Sequence, residues 1–412
     1  MMKIAIVGGG AAGMMCAATI AEKNPEGAEV FLVEKNSILG NKVIISGGGR
    51  CNVTTGIQNI DEVLKKYPRG KNLLKFAMYN FSPEKVYQWF ENHGVPMKTE
   101  ADLRVFPRSN NGGDVVGVFE NIFKKNDAEM LLKTKVDSVE KFGDKFVLIF
   151  ADGGELEVDK LVVTTGGQAY KKTGSTGDGY SFAEDLGHSI TALAPSLNAF
   201  ILKDTWVKDL AGVSFKKAGF KIVGEKTSKF EGAFLFTHNG ITGPAVFALS
   251  SLAAFDLADL KKEVTMFIDF FPEFNYEEMS VKIKKALQEN PKKSFVNTLD
   301  FFIPKSLAEV ISNNLQIKAG KINAEIGKIE INKTVEWLKN ATITVVGRSA
   351  GEEFVTAGGI NSKEIDPKTL ESKICPGLYF AGEILDVDGF TGGFNLQAAW
   401  CTGRLVGESL IP

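Results

Sequence analysis

Glycine and acidic residues near the N-terminus have the types and the spacing that hold a dinucleotide. The turn Gly8–Gly13 has glycine at its first, third and sixth positions. It follows an apolar run at residues 3–7 and precedes an Ala-rich segment at residues 14–23. A strand, a glycine turn and a helix N-terminus in this order offer free N–H groups to a pyrophosphate. The next apolar run, residues 29–33, ends at Glu34, where an acid can bind the adenosine ribose hydroxyls. The pattern favours the ADP moiety of FAD or NAD over that of NADP.

A second glycine cluster, Ser46–Asn52, has three consecutive glycines followed by Arg50 and Cys51. Such a backbone suits close approach to a flat or phosphorylated ligand, and the Arg50 guanidinium could bind pyrophosphate or flavin oxygens. A flexible glycine loop is the alternative explanation. Cys51 is either a redox-active thiol beside the cofactor or a small packed thiol. The packed thiol is favoured, because no other cysteine lies nearby in the sequence.

Later segments are expected to bring the chain back to the same site. Residues 160–167 are predicted to form a buried strand that ends in Thr165-Gly166-Gly167. Gly174–Gly179 is another tight loop, and it opens a predicted helix at residues 181–186. Because the strand is parallel and buried, its carboxyl end should lie beside the first glycine turn.

The last 60 residues repeat the pattern of a strand followed by glycine. A predicted strand at residues 377–383 ends in Gly382-Glu383, and the loop from Asp386 to Leu396 opens a helix that runs to about Leu410. A helix N-terminus aimed at a flavin could stabilise negative charge near N1 and O2 on reduction. A C-terminal segment that completes the first domain is natural for an extended FAD.

Three side chains are candidates for moving a proton: His238, Asp178 and Cys51. His238 stands in a glycine-bounded loop and is the best titratable candidate near neutral pH. Its alternative role is to order that loop by hydrogen bonding. Asp178 could instead cap the helix that follows it.

The composition of the chain changes at about residue 191. The block 191–352 has alternating strand-like stretches, a Lys-rich helical portion at about 275–318, and no glycine fingerprint. We therefore predict an FAD-binding domain formed by residues 1–190 and 353–412. The inserted block is predicted to be a β-barrel-like substrate or cap domain.

Two shorter segments carry predictions that the fold tests. Arg104–Ser109 is interpreted as a polar, basic loop that either reaches the active site or is solvated surface. Lys328–Ile331 is interpreted as a return to strand structure.

The overall composition is that of a globular enzyme of more than one domain. The chain has 412 residues, of which 44% are apolar and 24% charged, and its formal net charge is −2. Nucleic acid is not expected at this charge. The four cysteines have no C-x-x-C pairing and no metal-like spacing with histidine, so we expect reduced cytosolic thiols and no metal. A core strand stands at the N-terminus and no long apolar run exists, so we expect neither a signal peptide nor membrane insertion.

Together these segments resemble a known family. Gly8–Gly13, Ser46–Asn52, Gly174–Gly179 and the closing Ala381–Gly389 with Thr391–Gly393 are similar to the BaiN-like, or aminoacetone-oxidase-like, NAD(P)/FAD-dependent oxidoreductases. The resemblance covers nearly the whole chain. It implies an α/β fold with a discontinuous Rossmann-like FAD-binding domain, of the two-dinucleotide-binding-domain flavoprotein type, and an inserted β-rich domain with a helical subdomain.

The resemblance also implies a set of cofactor-binding residues. Around FAD it places Gly8, Gly10, Ala12, Glu34, Lys35, Lys42, Ser46, Gly47, Gly48, Gly49, Arg50, Cys51, Asn52, Val136, Gly166, Gly382, Glu383, Asp386, Gly393, Phe394 and Asn395. The glycine segments add Ala11, Gly13, Gly40, Thr165, Gly167, Gly392 and Leu396. Many FAD enzymes have Gly-Asp after the late strand, with the Asp on the ribitol, so that role could fall here to Glu383 or Asp386.

Three functions remain open from the sequence. The favoured one is an FAD-dependent reductase or dehydrogenase that transfers a hydride through flavin N5 to or from a small organic substrate. The alternatives are an FAD-dependent amine oxidase using oxygen and a flavoprotein that binds RNA or a protein partner. No second G-x-G-x-x-G is present, so NAD(P)H would dock only transiently as a donor. The substrate and the oligomeric state are not determined by the sequence.

Overall fold

The computed structural model describes residues 1–23, 27–126, 128–223, 227–257, 263–318, 320–349 and 354–411. Within these ranges the strands are β1 (Met2–Val7), β2 (Ala28–Glu34), β3 (Thr54–Thr55), β4 (Met97–Thr99), β5 (Arg104–Pro107), β6 (Glu129–Leu132), β7 (Val136–Phe142), β8 (Lys145–Phe150), β9 (Glu155–Val158), β10 (Lys160–Val163), β11 (Ala194–Ser196), β12 (Phe200–Leu202), β13 (Ser214–Val223), β14 (Thr227–Phe236), β15 (Gly240–Thr242), β16 (Val264–Asp269), β17 (Ala341–Arg348), β18 (Val355–Ala357) and β19 (Leu378–Phe380). The α-helices are α1 (Ala11–Lys23), α2 (Asn41–Ile45), α3 (Ile60–Leu64), α4 (Lys71–Asn80), α5 (Pro83–Asn92), α6 (Gly112–Lys125), α7 (Asp178–Asp185), α8 (Pro244–Leu252), α9 (Tyr276–Glu289), α10 (Phe295–Leu299), α11 (Lys305–Asn314), α12 (Lys328–Asn340) and α13 (Phe394–Ser409).

The chain divides into two compact units. The first comprises Met1–Pro195 with Phe354–Pro412, and the second comprises Ser196–Glu353. The insert predicted from the sequence spans about residues 191–352. Each unit has its own hydrophobic core among the described residues.

A parallel sheet of five strands organises the first unit, in the order β19, β10, β1, β2, β6. Ile6 of the central strand pairs with Val162 of β10 on one side and Leu32 of β2 on the other. All three side chains are buried in a core that also contains residues of helix α1 and of strands β8 and β9. The carboxyl ends of these strands therefore meet at one edge, where ligands bind in open α/β sheets.

Helices α1 and α13 pack so closely that their backbones nearly touch. A Cβ atom on Gly403 of α13 would lie 2.2 Å from the carbonyl oxygen of Ala12, and one on Gly407 would lie 2.9 Å from that of Cys16. The Ala-rich sequence of α1 permits this approach, because small side chains leave no ridge between the helices. No helix among the described residues, these two included, has the length and hydropathy to cross a membrane.

The prediction of a polar loop at Arg104–Ser109 was wrong. Residues Arg104–Pro107 form β5, the middle strand of a small antiparallel sheet with β3 and β4. Val105 is 1% exposed and Phe106 is fully buried. Arg104 and Arg108 made the segment look polar, although Val105 and Phe106 between them pack in the core.

The second unit contains a closed six-stranded barrel in the order β12, β15, β14, β13, β16, β17. Phenylalanines fill it: Phe234 lies in edge-to-face contact with Phe220 and Phe236, with ring centroids 5.0 Å apart in each pair. The predicted fold class, an α/β Rossmann-like domain with a β-barrel-containing insert, is confirmed.

The predicted strand at Lys328–Ile331 was also wrong, since these residues begin helix α12. The carboxylate of Glu330 accepts a hydrogen bond from the N–H of Gly327 at 2.8 Å and so caps the helix. Ile331, Val335 and Leu338 are buried at helical spacing. The helical spacing of apolar residues becomes visible only when the residues after Ile331 are included, because residues 328–331 alone do not show it.

We predict that Gly403→Ala lowers the melting temperature of the protein, by the equivalent of about 1–3 kcal/mol, because the added methyl group overpacks the helix crossing. The measurement is thermal unfolding followed by circular dichroism. Gly117→Ala in helix α6 is the matched control, because its Cβ would meet no atom within 4 Å. This control should be neutral or slightly stabilising. Equal melting temperatures for the two variants would contradict the packing argument.

Candidate functional site

The first glycine turn has the geometry that a dinucleotide requires. Gly8 has a φ of 111°, which favours glycine. A Cβ atom on Gly13 would lie 1.9 Å from the carbonyl oxygen of Gly8, so the helix begins directly against the turn. A Cβ atom on Gly10 would meet no atom within 4 Å. The middle glycine therefore borders open space at the N-terminus of α1, where N–H groups and the helix dipole attract an anion.

Glu34, the last residue of β2, stabilises the glycine turn that follows the neighbouring strand β1. Its Oε2 accepts a hydrogen bond from the N–H of Gly9 at 2.7 Å. Its Oε1 accepts from the N–H and the side-chain amide of Asn36 at 2.8 and 2.6 Å. Because a carboxylate has about four acceptor positions, Glu34 keeps capacity for a ribose hydroxyl.

The Ser46–Asn52 segment is a glycine loop in the left-handed region. Gly47, Gly48 and Gly49 have φ values of 57°, 73° and 85°. Cβ atoms on Gly48 and Gly49 would meet nothing within 4 Å. The loop closes through a hydrogen bond from the N–H of Cys51 to the carbonyl of Ser46 at 2.9 Å. It thus presents bare backbone to open space, as a ligand-facing loop would.

Arg50 has partners within the protein. Its guanidinium donates to Glu100 at 2.7 Å and lies 3.9 Å from the centre of the Phe106 ring. An ion pair and a cation–π contact both hold the side chain. A direct contact of Arg50 with the cofactor stays a prediction.

Cys51 is fully buried. Burial raises the pKa of its thiol to about 12, although a hydrogen bond with Ser46 opposes the shift. A thiol with this pKa is neutral at physiological pH and is a poor nucleophile. The geometry favours the packed thiol over a redox-active one.

Asp178 is held in an ion pair. The ammonium group of Lys35 donates to its carboxylate at 2.6 Å and to the hydroxyl of Thr176 at 2.5 Å. Burial opposes ionisation, but the hydrogen bonds from Lys35 and Thr176 outweigh it, so the pKa of Asp178 lies below its usual value. Asp178 therefore ties the Gly174–Gly179 loop to the end of β2, and this contact disfavours it as a proton donor.

A second ion pair spans the sheet edge. Lys42 donates to Glu383 at 2.6 Å, and the other oxygen of Glu383 accepts from the N–H of Thr356 at 2.9 Å. Gly167 packs against the same two groups, since its Cβ would lie 2.4 Å from the Thr356 hydroxyl. The predicted residues Lys42, Gly167 and Glu383 are thereby brought together. Thr356 joins them, and the sequence analysis did not single it out.

The start of helix α13 is fixed by close packing and amide hydrogen bonds. A Cβ atom on Gly393 would lie 2.3 Å from the carbonyl oxygen of Thr54. The Asn395 amide accepts from the N–H of Gly389 and donates to its carbonyl, both at 2.8 Å. The Asn52 amide, in the orientation its neighbours require, accepts from the N–H of Gly393 at 2.9 Å. Asn52 and Asn395 therefore position the helix N-terminus.

The loop before α13 contains a buried ion pair and a buried carboxyl oxygen without a partner. Arg69 makes two hydrogen bonds to Asp388 at 2.5 Å each, and Asp388 is fully buried. Oδ1 of Asp386 is buried and meets no donor among the described residues. Burial raises the pKa of Asp386, against the opposing charge of Arg69. The sequence offered no signal for the Arg69–Asp388 pair, because 319 positions separate the two residues.

The other predicted residues fall in two places. In the first unit, Ala11 and Ala12 begin α1, Gly40 precedes α2, Val136 begins β7, Thr165 and Gly166 follow β10, Gly382 follows β19, and Gly392, Phe394 and Leu396 surround the start of α13. In the second unit, His238 is exposed on the turn between β14 and β15. The structure thus gathers the cofactor candidates in one unit and leaves His238 in the other.

The site fits FAD on these observations. The positions beside Gly10, Gly48 and Gly49 are open where a side chain would otherwise stand. The unpartnered Oδ1 of Asp386 can accept a hydrogen bond from a polyhydroxyl chain. Backbone N–H groups, a free acceptor and open glycine positions suit a dinucleotide.

The comparisons with known proteins agree with this geometry. Residues 2–409 match the model of the HI0933-like protein Rossmann domain. The chain belongs to this family. The resemblance to BaiN-like flavoproteins is thereby confirmed for nearly the whole sequence.

Two curated relatives of the chain share almost its full length. The 3-dehydro-bile acid delta(4,6)-reductase of Clostridium scindens is 29% identical over 99% of each chain. The ribosomal RNA dihydrouridine synthase of Haemophilus influenzae is 30% identical over 96% of this chain and 95% of the relative. Among solved structures, the 3-ketosteroid delta1-dehydrogenase of Sterolibacterium denitrificans aligns over 99% of both chains, with a TM-score of 0.54 and 14% identity. At that identity, the last comparison shows a shared fold.

We predict that Gly10→Val abolishes retention of FAD, because the valine side chain would fill the open space at the N-terminus of α1. The measurement is the ratio of visible flavin absorbance to protein absorbance after gel filtration, with loss of at least tenfold expected. Gly320→Val is the control, since its Cβ would also meet nothing within 4 Å. Full FAD content in Gly10→Val would show that the turn does not hold the cofactor.

We predict that the difference in melting temperature between Asp386→Asn and the unsubstituted protein increases, in favour of the variant, as pH rises from about 4 to about 8. The raised pKa means that the folded state holds the proton more tightly than the unfolded state, so stability falls as pH rises through the folded pKa. Asparagine removes this loss. Exposed Asp144→Asn is the control and should show no such trend. A difference that stays constant with pH would contradict the assignment.

Proposed function

We propose that this FAD-dependent oxidoreductase reduces a carbon–carbon double bond conjugated to a carbonyl group, by hydride transfer through flavin N5. The observation that supports the reaction type is the chemistry shared by the names of the two relatives. A delta(4,6)-reductase acting on a 3-dehydro bile acid and a dihydrouridine synthase both add hydrogen to such a bond. Hydride adds readily to the carbon β to a carbonyl, because the carbonyl accepts the electrons.

The residues of the chain bind and orient the reactants. When bound, FAD supplies an N5 position that accepts and donates hydride. The N–H groups at Gly10 and the start of α1 would hold its pyrophosphate, and Glu34 its ribose. The N-terminus of α13, after Gly393, would stabilise negative charge on the ring system. NAD(P)H is the proposed donor, docking transiently.

A proton must also reach the substrate. Among the three candidates, Asp178 is ionised in its pair with Lys35, and Cys51 is a buried, weakly acidic thiol. His238 is exposed on its turn, so we keep it as the proposed proton donor.

A second candidate function is the reduction of uracil within RNA. Two ribosomal RNA dihydrouridine synthases, of Haemophilus influenzae and Escherichia coli, are 30% and 28% identical over 96% and 98% of this chain. These values match that of the bile acid reductase, so identity does not separate the two substrates. The net charge of −2 favours a small acceptor over RNA. Oxidation of an amine by oxygen is the remaining alternative, whereas the three relatives named above are a reductase and two dihydrouridine synthases.

We predict that the purified protein is yellow, releases FAD on denaturation, and loses its visible absorbance when NADH or NADPH is added without oxygen. Absorbance should then return on adding either a 3-oxo-4,6-diene bile acid or uracil-containing ribosomal RNA. Mass spectrometry should find two added hydrogens in the acceptor that functions. The Gly10→Val protein is the control and should do neither step.

Three outcomes would redirect the assignment. A colourless protein that cannot be reconstituted would refute the FAD site. A flavin bleached only by amines, with peroxide formed in air, would make the protein an amine oxidase. A bleached flavin that neither acceptor reoxidises would refute both substrate classes and leave the oxidoreductase.

A further inference from the structure

A basic segment without acidic residues lies between helix α3 and the end of helix α4. Residues 65–80 include the cations Lys65, Lys66, Arg69, Lys71 and Lys75, with no Asp or Glu among them. Two acidic residues that precede it contact the segment. Glu62 pairs with Lys65 at 2.6 Å, and Asp61 accepts a hydrogen bond from the hydroxyl of Tyr79 at 3.2 Å. Arg69 is paired with the buried Asp388, so the segment's remaining cations are Lys66, Lys71 and Lys75. The last two lie on α4.

Helix α4 carries exposed aromatic rings beside its lysines. Phe76 is 44% exposed and Tyr79 is 48% exposed, and Lys71 and Lys75 are exposed on the same side of the helix. These four residues are termed the basic aromatic face. The opposite side of α4 buries its leucines, alanine and methionine, so the core does not need the two aromatic rings.

The segment directly before helix α4 is attached to the loop that carries predicted cofactor residues. Tyr67 donates to the carbonyl of Phe394 at 2.7 Å, and the N–H of Phe390 donates to the carbonyl of Lys66 at 2.9 Å. Gly70, which directly precedes α4, packs against the backbone of Asp386: its Cβ would lie 2.6 Å from that carbonyl oxygen. A ligand on α4 would thus lie on an element fixed to the candidate site.

The chemistry of this face matches single-stranded RNA. Flat aromatic rings stack on bases of any sequence, and neighbouring lysines neutralise phosphates. An acidic protein would use the lysines but not the flat rings. A second copy of this chain, with a net charge of −2, offers no strong charge complement. The combination therefore favours a polynucleotide.

We propose that the basic aromatic face binds a single-stranded segment of RNA and so delivers a uracil to the neighbouring flavin site. This proposal rests on the second candidate function, the reduction of uracil in RNA. Lys71 and Lys75 contact phosphates, and Phe76 and Tyr79 stack on bases. The target base itself is read at the flavin site, not on α4.

The test is the binding of a fluorescent, uridine-containing RNA oligonucleotide of about 20 nucleotides, followed by anisotropy over a salt series. In the double variant Lys71→Ala/Lys75→Ala, the plot of log K against log salt should become shallower. The magnitude of its negative slope should decrease by about 1.4, which is about 0.7 for each lost phosphate contact. In Phe76→Ala/Tyr79→Ala, affinity should fall at least about fivefold with the slope unchanged. Lys124→Ala/Lys125→Ala, in the last turn of α6, is the matched charge control and should bind like the unsubstituted protein.

Melting temperature and FAD content are measured on every variant, so that misfolding is separated from lost binding. The proposal is overturned if the unsubstituted protein does not bind the oligonucleotide, or if the α6 control loses as much affinity as the α4 variants. It is also overturned if sedimentation shows that the α4 variants instead dissociate a dimer. If RNA binds at α4 but its uracil gains no hydrogen, RNA binding by the basic aromatic face is supported and the second candidate function is refuted. Reduction of the bile acid without RNA binding would refute both the proposed face and the second candidate function, and would support a small acceptor.

Discussion

Close approach between backbones is the constraint on which the first unit depends. Gly13 allows α1 to begin against the carbonyl of Gly8, and Gly403 allows α13 to cross α1 against the carbonyl of Ala12. Any side chain at these positions would separate the elements by several tenths of an ångström or more. Because the crossing joins residues about 390 positions apart, the N-terminal glycine turn and the C-terminal helix form one surface. The open side of that surface begins at Gly10, where an added Cβ atom would meet no atom within 4 Å.

Charged residues around this surface mainly hold the protein together. Lys35 is paired with Asp178, Lys42 with Glu383, and Arg69 with Asp388. Each pair joins a segment near the N-terminus to one much later in the chain, so the pairs fix loops that the sheet alone would leave independent. Binding of an anionic cofactor would then depend on backbone N–H groups and helix N-termini more than on side-chain cations. This explains why glycines, rather than arginines and lysines, dominate the candidate site.

Sequence patterns predicted the elements whose signals are local. The apolar strands, the glycine turn and the Ala-rich helix all have periods of a few residues, and the parallel sheet follows from them. Contacts over long separations could not be predicted: nothing near Arg69 indicates Asp388, and nothing near Arg50 indicates Glu100. Two local patterns gave wrong predictions. Arg104 and Arg108 suggested a polar loop although they flank a buried apolar pair, and the four residues 328–331 are too few to distinguish a strand from a helix. The loops around a site are therefore harder to predict than its glycines.

Average charge and local charge lead to different conclusions about the substrate. A net charge of −2 over 412 residues describes a protein with no general attraction for nucleic acid. Phosphates, however, respond to charges within about one Debye length, roughly 8–10 Å at physiological salt. On that scale the relevant stretch is 65–80, which has five cations and no acidic residue of its own. Lys65 is paired with Glu62 and Arg69 with Asp388, so the local positive charge comes from Lys66, Lys71 and Lys75. Both candidate acceptors place a flat conjugated ring at the same kind of hydride donor. Only one of them carries a chain of phosphates, so binding outside the flavin site is a property in which the two acceptors differ.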